Sequence, residues 1–367
     1  MQISELFSLV RRFAVNGEPI DAKISTSGHI NRTHIVYTVD ADHCRHRYIL
    51  QRINTSVFTQ PVELMENIRR VTEYLREQIV SKGGDPTRET MTLIPGLDGA
   101  NYVIDDEGAY WRMYLYVPNT TSYDVATTPE QLEHAGYAFG HFQHSLDRFP
   151  AKMLTETIPN FHNTEYRYAD FLRAVEEDRS GRRAQVEQEI RFITERRDVC
   201  SYIVSRMAKG EIPTRVTHND TKLNNVLIDE STGEAICVVD LDTVMPGSVL
   251  YDFGDGIRFG ASNATEDEID LNKVYLRLDL FESYVKGFLR GCGGALTDAE
   301  LENLPMGAYV ITLETGMRFL GDYLNGDTYF AIHRERHNLD RARTQLKLVA
   351  DMEDKLGAMR AIVAKYR

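Results

Sequence analysis

The sequence has 367 residues, of which 42% are hydrophobic, enough for a large core and for roughly two domains. Its net charge of −13 argues against a general nucleic-acid or anionic-membrane surface, although a local basic phosphate pocket stays compatible with that total. The four cysteines are scattered, no apolar run approaches a membrane span, and the N-terminus lacks a signal peptide's apolar core. We therefore expect a cytoplasmic protein that binds neither nucleic acid nor membrane.

The first third of the chain mixes strand and helix patterns. Apolar residues at helical spacing open the chain and return between Leu64 and Ile79, which predicts two amphipathic helices. Strand patterns cover residues 20–39, 47–53, 90–95, 102–105 and 110–117. These patterns predict a small sheet-rich lobe with one long helix.

After Tyr116-Val117-Pro118-Asn119 the patterns become helical. Capping boxes begin at Thr128, which is followed by Pro129, and at Thr297. Helices are predicted over residues 128–146, 164–177, 184–208, 270–290, 306–324 and 340–365. The change near residues 113–119 indicates a hinge, so we predict an α+β fold with two lobes, 1–117 and 118–367.

One loop carries the predicted chemistry. It reads H-x-D-x4-N, with His218, Asp220 and Asn225 as the fixed residues. Asp220 is free in a loop to act on an acceptor hydroxyl as base or orienter, whereas His218 is more typical of a structural histidine. The pattern is typical of phosphoryl transfer, which needs a positioned hydroxyl and Mg²⁺ on the phosphates.

The segment after this loop predicts a metal site. Val226–Asp229 and Ile236–Val239 are apolar runs around a Gly-containing turn of hairpin length. In a hairpin the start of the first strand lies beside the end of the second, so Asn225 and Asp240 would meet. An amide oxygen and a carboxylate suit a hard cation. The alternative is a surface loop with an ordinary hairpin, which leaves these polar residues unexplained.

The order of these features, with Tyr251-Asp252-Phe253-Gly254-Asp255 after them, resembles the aminoglycoside phosphotransferase and choline kinase superfamily, whose members share the protein-kinase-like fold. Over almost the whole chain the sequence is similar to the N-acetylhexosamine 1-kinases, which phosphorylate the anomeric hydroxyl of GlcNAc or GalNAc. The stretches that carry this similarity are residues 28–31, 48–51, 54–56, 217–225, 240–243, 246–248, 252–255, 257–261 and 316–320. The resemblance implies Mg²⁺ as cofactor, ATP as co-substrate and a small sugar as acceptor.

Carried over by position, the resemblance implies a catalytic role for Asp220. It implies Mg²⁺ binding by Asn225 and Asp240, with Asp242 as a second acidic candidate. Asp252 would brace the catalytic loop.

The resemblance also implies a sugar site formed by Asp220, His29, Arg318 and Tyr329. The spacing of Arg318 alone also allows a structural role. Glu314 and Asp322 lie four residues before and after it on one predicted helix. Such spacing is typical of an ion-pair ladder.

The nucleotide site is expected in the first lobe. Gly28 lies in the loop that would cover the phosphates. The hinge residues Tyr114, Leu115 and Tyr116 occupy the position where backbone groups of the superfamily meet the base.

The sequence leaves two questions about positively charged residues open: which residue replaces the phosphate-pairing lysine, and what Arg258 contacts. The strand that usually carries a phosphate-pairing lysine has Gln51 at the lysine position, a trait that the N-acetylhexosamine 1-kinases share. Arg52 is adjacent, but strand alternation points it to the opposite face. Arg258 could reach a phosphate or form a fixed ion pair.

Three alternatives keep the same core motif. The chain could phosphorylate another sugar or an aminoglycoside, it could be a choline or ethanolamine kinase, or it could be a non-catalytic pseudokinase that only binds ligands. Retention of Asp220, Asn225 and Asp240 argues against the last. We expect a monomer or a weak homodimer.

Overall fold

The computed structural model describes residues 2–25 and 30–367. Its helices are α1 (Ile3–Val10), α2 (Pro61–Ser81), α3 (Pro129–Ser145), α4 (Thr164–Glu177), α5 (Glu187–Thr194), α6 (Arg197–Cys200), α7 (Tyr202–Ala208), α8 (Val249–Gly260), α9 (Leu278–Cys292), α10 (Asp298–Asn325) and α11 (His337–Tyr366). Its strands are β1 (Glu18–Ile24), β2 (Arg32–Val39), β3 (Arg45–Arg52), β4 (Leu93–Ile94), β5 (Val103–Ile104), β6 (Tyr110–Leu115), β7 (Thr120–Thr121), β8 (Arg215–Thr217), β9 (Val226–Asp229), β10 (Ala235–Val238) and β11 (Met245–Gly247). This content confirms the predicted α+β class.

Two compact units divide the chain. Unit 1 comprises Met1–Thr121, Lys152–Ile158 and Leu227–Met245, and unit 2 comprises Ser122–Ala151, Pro159–Val226 and Pro246–Arg367. The division of function between a lobe of residues 1–117 and a lobe of residues 118–367 stays a prediction. None of the helices in the described residues combines the length and the apolar character that crossing a bilayer requires.

Unit 1 is built on an antiparallel sheet. Its strands follow the order β1-β2-β3-β6-β4, and β5 also pairs with β6. Alternate residues of these strands face a core to which α1 contributes its apolar side. The core contains Leu6, Leu9, Val10, Phe13, Val36, Tyr48, Leu50, Val103, Trp111 and Met113. A second small sheet has the order β10-β9-β7, which confirms the predicted hairpin.

Unit 2 is mainly helical. Helices α3 and α9 pack closely because glycines lie where they approach each other. A Cβ added at Gly287 would lie 1.9 Å from the carbonyl oxygen of Glu133, and one at Gly140 would lie 2.1 Å from that of Phe288. Only glycine allows backbones to pass at such distances. This packing fixes the helices that support the loop following β8.

Most predicted helices are confirmed, including both capping boxes. The Thr128 and Thr297 hydroxyls accept the N–H groups of Gln131 and Glu300, at 3.4 and 3.2 Å. Two predicted helices are wrong in extent. Residues 184–208 form three short helices, α5 to α7, and the helix predicted from 270 begins only at Leu278. The Leu276 N–H donates to the Asp351 carboxylate at 2.6 Å, which gives this segment a partner outside a helix.

Candidate active site

The loop between β8 and β9 is organised around a buried histidine. His218 is 0% exposed, and its ring meets those of Phe139 and Phe142 edge-on, with centroids 5.5 and 5.9 Å away. Its Nδ1 lies 3.3 Å from the Asp220 backbone N–H, which donates to it. The predicted structural role of His218 agrees with these contacts.

Asp252, near the start of α8, fixes the backbone of this loop. Its carboxylate accepts the N–H groups of His218 at 2.9 Å and of Asn219 at 2.7 Å. Gln143 donates to the same carboxylate from α3 at 2.7 Å. Burial raises the pKa of Asp252, while His218 and these hydrogen bonds act in the opposite direction. The expected bracing role of Asp252 is confirmed by these contacts.

The brace holds an uncommon backbone conformation. Asn219 has φ +63°, in the left-handed region that non-glycine residues seldom adopt. Asparagine tolerates this region better than most residues. The turn at Asn219 determines the direction in which the next residue, Asp220, leaves the loop.

Asp220 lies between a cation and an amide. Its Oδ1 is 2.8 Å from the Lys222 ammonium, and its Oδ2 accepts from the Asn225 Nδ2 at 3.1 Å. Burial would raise the pKa of Asp220, but Lys222, His218 and Asn225 together hold that pKa below its ordinary value. Asp220 is therefore ionised at neutral pH and can accept a hydrogen bond from a hydroxyl.

The contacts of Asn225 fix the orientation of its amide. Its Nδ2 donates to the Asp220 carboxylate at 3.1 Å and to the Asp220 backbone oxygen at 2.8 Å. Two acceptors on one side require the nitrogen there, so the amide oxygen points the other way. Among the described residues that oxygen accepts no hydrogen bond, and oxygen is the atom a hard cation prefers.

Unit 1 contains the two aspartates predicted after the hairpin. Asp240 follows β10 and has φ +61°. Asp242 is 3% exposed; one carboxylate oxygen pairs with the Arg112 guanidinium, and the other accepts from the Asn31 Nδ2 at 2.5 Å. Asp242, the second acidic candidate, is therefore engaged by protein groups at both oxygens. Within the described part of the chain no three His, Cys, Asp or Glu side chains converge as a metal cluster.

The position of the missing lysine is occupied by a hydrogen-bonded amide. Gln51 accepts from the Arg112 Nε at 2.9 Å and donates to the Thr33 hydroxyl at 3.0 Å. Arg112 is its neighbour on β6, so the two side chains share one face of the sheet. Arg52 is exposed, as strand alternation predicts. Sequence reasoning missed Arg112, which only the pairing of β3 with β6 brings to Gln51.

The predicted hinge residues lie at the end of β6. Tyr114 and Leu115 belong to the strand, and Tyr116 follows it. The Leu115 N–H donates to the Thr92 oxygen at 2.9 Å, and the Tyr116 N–H donates to the Arg47 oxygen at 3.1 Å. These two N–H groups are therefore already engaged within unit 1. Base binding here stays a prediction, and Gly28 and His29 lie outside the described residues.

In unit 2 the structure brings Arg318 and Tyr329 together. The Arg318 guanidinium lies 5.3, 6.0 and 5.5 Å from the ring centroids of Phe161, Tyr329 and Phe330. Tyr329 is 60% exposed. Cations over aromatic faces at such distances are attracted by the ring electrons.

The ion-pair ladder suggested for Arg318 is not formed. Asp322 accepts the backbone N–H groups of Thr328, Tyr329 and Phe330, each at 2.9 Å. Glu314 accepts instead from Thr164, at 2.5 Å, and contacts His162. Arg258, by contrast, does form a fixed ion pair. Its guanidinium lies 2.9 Å from the Asp255 carboxylate and 2.5 Å from the Glu266 carboxylate.

His162, which sequence reasoning missed, connects the Arg318 region to the loop between β8 and β9. Its Nδ1 lies 2.8 Å from the Glu314 carboxylate, and its Nε2 faces the Asn219 backbone oxygen at 3.4 Å. Burial opposes the charge of Glu314, but His162 and Arg318 hold the pKa of that carboxyl below its ordinary value. No motif marks His162, because its partners are 57 and 152 residues away along the chain.

A second arginine stands near Arg318. The Arg167 Nε donates to the Phe161 backbone oxygen at 3.0 Å. Burial and the charge of Arg318 lower the pKa of Arg167. This part of unit 2 therefore presents two guanidinium groups close to each other.

Comparison with known proteins identifies the class of this protein. Residues 22–282 match the model of the phosphotransferase enzyme family, and the chain belongs to that family. It is a small-molecule kinase that transfers a phosphoryl group to an alcohol.

Solved structures share the fold across the whole chain. A microcompartment-associated aminopropanol kinase superposes with a TM-score of 0.61 at 16% identity, covering 98% of each chain. An aminoglycoside phosphotransferase from Alicyclobacillus acidocaldarius gives 0.57 at 11% identity, covering 98% of this chain and 96% of its own. An amicoumacin kinase in complex with AMP-PNP and Ca²⁺ gives 0.55 at 13%, covering 97% and 94%. At these identities the likeness establishes the protein-kinase-like fold and not the acceptor.

Proposed function

We propose that the protein transfers the γ-phosphoryl group of ATP to the anomeric C1 hydroxyl of an N-acetylhexosamine, giving the sugar 1-phosphate. The position of Arg318 is the main support for a sugar as acceptor. Its guanidinium lies over three aromatic rings, 5.3 to 6.0 Å from their centroids, without an ion-pair partner among the described residues. Such a group offers several N–H donors to the oxygens of a neutral acceptor.

The charge in this region opposes a cationic acceptor. Arg167 adds a second guanidinium near Arg318, and the Glu314 carboxylate is already bonded to His162 and Thr164. An aminoglycoside, choline or an amino alcohol would bring positive charge to this pair of arginines. A sugar hydroxyl and an acetamide oxygen carry none, and the face of a sugar ring can pack on Tyr329.

A continuous chain of contacts links this region to the proposed base. Arg318 acts electrostatically on Glu314, Glu314 contacts His162 at 2.8 Å, and His162 faces the Asn219 oxygen at 3.4 Å. Asp220 is the next residue. We therefore assign Asp220, Arg318 and Tyr329 to the sugar, and we add His29 from the family resemblance alone.

Asp220 performs the proton transfer in this proposal. The C1 hydroxyl oxygen attacks the γ-phosphorus while the bond to the bridging β-phosphate oxygen breaks, releasing ADP, and the proton of that hydroxyl passes to the Asp220 carboxylate. A hemiacetal hydroxyl is more acidic than an ordinary alcohol, so a carboxylate whose pKa is lowered still suffices. Lys222, beside Asp220, keeps that carboxylate ionised and oriented.

The donor atoms fit a magnesium ion. The Asn225 amide oxygen points away from Asp220, and Asp240 supplies a carboxylate after β10. The proposal that these two residues bind one ion rests on the hairpin spacing in the sequence. Both ligands are oxygen atoms, as Mg²⁺ requires, and bound Mg²⁺ would offset negative charge on the nucleotide phosphates.

The nucleotide is assigned to the first lobe. Gly28 would cover the phosphates, and carbonyl oxygens of Tyr114, Leu115 and Tyr116 would face the base. In this proposal residues 1–117 bind the nucleotide and residues 118–367 contribute catalysis and the sugar site. We also propose a cytoplasmic protein that is a monomer or a weak homodimer, which gel filtration with light scattering would test.

The test is an ADP-release assay with Mg–ATP across GlcNAc, GalNAc, glucose, galactose, kanamycin, choline and 1-amino-2-propanol, with NMR of each product. We expect turnover of the N-acetylhexosamines and phosphorus coupling at the anomeric proton. The Asp220→Asn variant should lose roughly 10²–10⁴ in rate. Turnover only of a cationic acceptor would overturn the sugar assignment. Mg–ATP binding without turnover of any acceptor would indicate the pseudokinase.

A further inference from the structure

We propose that Arg112 is a positioning residue for the nucleotide and metal half of the site, and that it acts by holding Asp242. This proposal rests on the nucleotide and Mg²⁺ assignments of the proposed function and does not depend on which acceptor is used. Arg112 would then be the fixed positive charge beside Gln51, the residue that replaces the expected lysine.

Arg112 is a buried charge with fixed partners. It lies on β6 and is 1% exposed, its Nε donates to Gln51 at 2.9 Å, and it forms an ion pair with Asp242. A guanidinium so enclosed does not reach a phosphate without leaving both partners. Its effect on the nucleotide must therefore pass through Asp242.

Asp242 joins two segments of unit 1 that carry predicted ligands. Its second carboxylate oxygen accepts from the Asn31 Nδ2 at 2.5 Å. The Asn31 amide oxygen in turn accepts the Asn54 N–H at 3.0 Å. Asn31 closes, in sequence, the Gly28-His29-Ile30-Asn31 loop assigned to the phosphates. Asp242 itself is two residues after Asp240, the predicted metal ligand.

The segment that contains Asp240 and Asp242 is also held at Val244. Asn67 of α2 donates from its Nδ2 to the Val244 oxygen at 3.1 Å and to the Thr155 oxygen at 2.7 Å. The Thr155 N–H donates back to the Asn67 amide oxygen at 2.9 Å. The residues that follow Asp240 are therefore anchored through both Asp242 and Val244, which restricts the positions available to the Asp240 carboxylate.

Charge explains why a cation is needed here. Asp240 and Asp242 lie two residues apart, and both act electrostatically on Arg112. Asp242 is buried, and a buried carboxylate is costly unless a positive charge lies close by, as the paired Arg112 guanidinium does. Burial opposes the charge of Arg112, but Asp242, Tyr114 and Asp240 raise its pKa, so it stays charged. Arg112 thereby compensates the charge of Asp242, two residues after the proposed metal ligand Asp240.

The buried hydroxyl of Tyr114, beside Arg112, offers a hydrogen-bonding position to a water or a ligand atom. Tyr114 is 3% exposed, and its hydroxyl has no hydrogen-bond partner in the described part of the chain. The Arg112 guanidinium lies 5.4 Å from the Tyr114 ring centroid. Buried hydroxyls are almost always paired, so a water or ligand atom is expected at this one.

The experiment compares Arg112→Lys and Arg112→Met with Arg88→Lys. Arg88 forms an ion pair with Asp229 at 2.6 Å in the same unit and is the matched control. Calorimetry would measure binding of Mg–AMP-PNP without acceptor, and thermal unfolding would measure stability. We expect both Arg112 variants to bind roughly 10- to 100-fold more weakly and to need more Mg²⁺, since a supporting residue orients the ligands. Lysine should not restore affinity, because a single ammonium does not reproduce the planar fork.

An Arg112→Lys protein that is less stable but binds Mg–AMP-PNP like wild type would overturn the proposal, because Arg112 would then serve packing alone. If Arg112→Met does not fold, Asn31→Ala, which removes one partner of Asp242, gives the decisive comparison. Weaker Mg–AMP-PNP binding by Asn31→Ala supports the proposal and wild-type binding overturns it. Failure of the acceptor assignment would appear separately, as normal nucleotide binding without turnover of N-acetylhexosamines.

Discussion

The Asp252 carboxylate accepts the Asn219 backbone N–H at 2.7 Å, and this bond holds a non-glycine residue at φ +63° immediately before Asp220. A conformation of this kind costs about 1–3 kcal/mol and persists only where its surroundings determine it. The contact therefore makes the direction of the proposed base depend on a residue 33 positions later in the chain.

Asp252→Asn should lower both stability and activity. An amide has one oxygen, whereas the His218 and Asn219 N–H groups and Gln143 all donate to the present carboxylate. At least one buried donor loses its acceptor, which costs about 1–3 kcal/mol. Denaturant unfolding and kcat would measure the effect. Asp354→Asn, on the exposed side of α11, is the control, and a wild-type kcat for Asp252→Asn would contradict the bracing role.

Lys222→Met should move the acid limb of the kcat/KM profile to higher pH. In the wild type, Lys222 is the leading influence that lowers the Asp220 pKa against burial. Without that ammonium, burial raises the pKa, so Asp220 becomes protonated at a higher pH and activity is lost earlier as pH falls. Lys209→Met, at an exposed lysine after α7, should leave the profile unchanged. An acid limb that did not move would mean that Asp220 is not the group that titrates.

Arg318→Gln should weaken acceptor binding with little effect on the nucleotide. Loss of hydrogen bonds from a charged donor costs about 1.5–3 kcal/mol, which corresponds to roughly a 10- to 100-fold rise in the acceptor KM. Arg290→Gln provides a control, because Arg290 lies 4.9 Å from the Tyr137 ring centroid in the same unit. An equal rise in the KM values for ATP and acceptor would indicate a structural role for Arg318.

His162→Phe should destabilise the protein most at neutral pH. The ring can still pack on Phe161 and Tyr251, whose centroids are 4.5 and 5.2 Å away, but Glu314 loses a partner. The cost is about 1.5–3 kcal/mol. The Glu314 pKa is lowered in the folded wild type, so this stability is present above the ordinary pKa of 4.5 and is lost as pH falls below it.

The deficit of His162→Phe should therefore shrink in acid, as urea unfolding between pH 7 and about pH 3 would show, with the change falling below pH 4.5. His162→Phe combined with Glu314→Gln should be more stable at neutral pH than His162→Phe alone, because no uncompensated buried charge remains. A deficit that did not change with pH would place the role of His162 in packing and not in its contact with Glu314.

Local pattern determined much of this protein. The helical spacing, the capping boxes at Thr128 and Thr297 and the turn between β9 and β10 are set by residues within a few positions of each other. The same holds for the loop that contains Asp220 and Asn225, since a spacing of five residues suffices for their hydrogen bonds. Short-range interactions of this kind leave a readable period or motif in the sequence.

Only the tertiary structure decided which side chains from distant parts of the sequence contact these local elements. Arg112 meets Gln51 because β3 pairs with β6, and Asp242 reaches the same guanidinium from 130 residues away. His162 joins Glu314 to the catalytic loop across three separate segments. Buried polar groups must find partners wherever the packed chain provides them. The sequence alone predicted the loop that contains Asp220 and Asn225, and long-range packing decided which residues hold that loop.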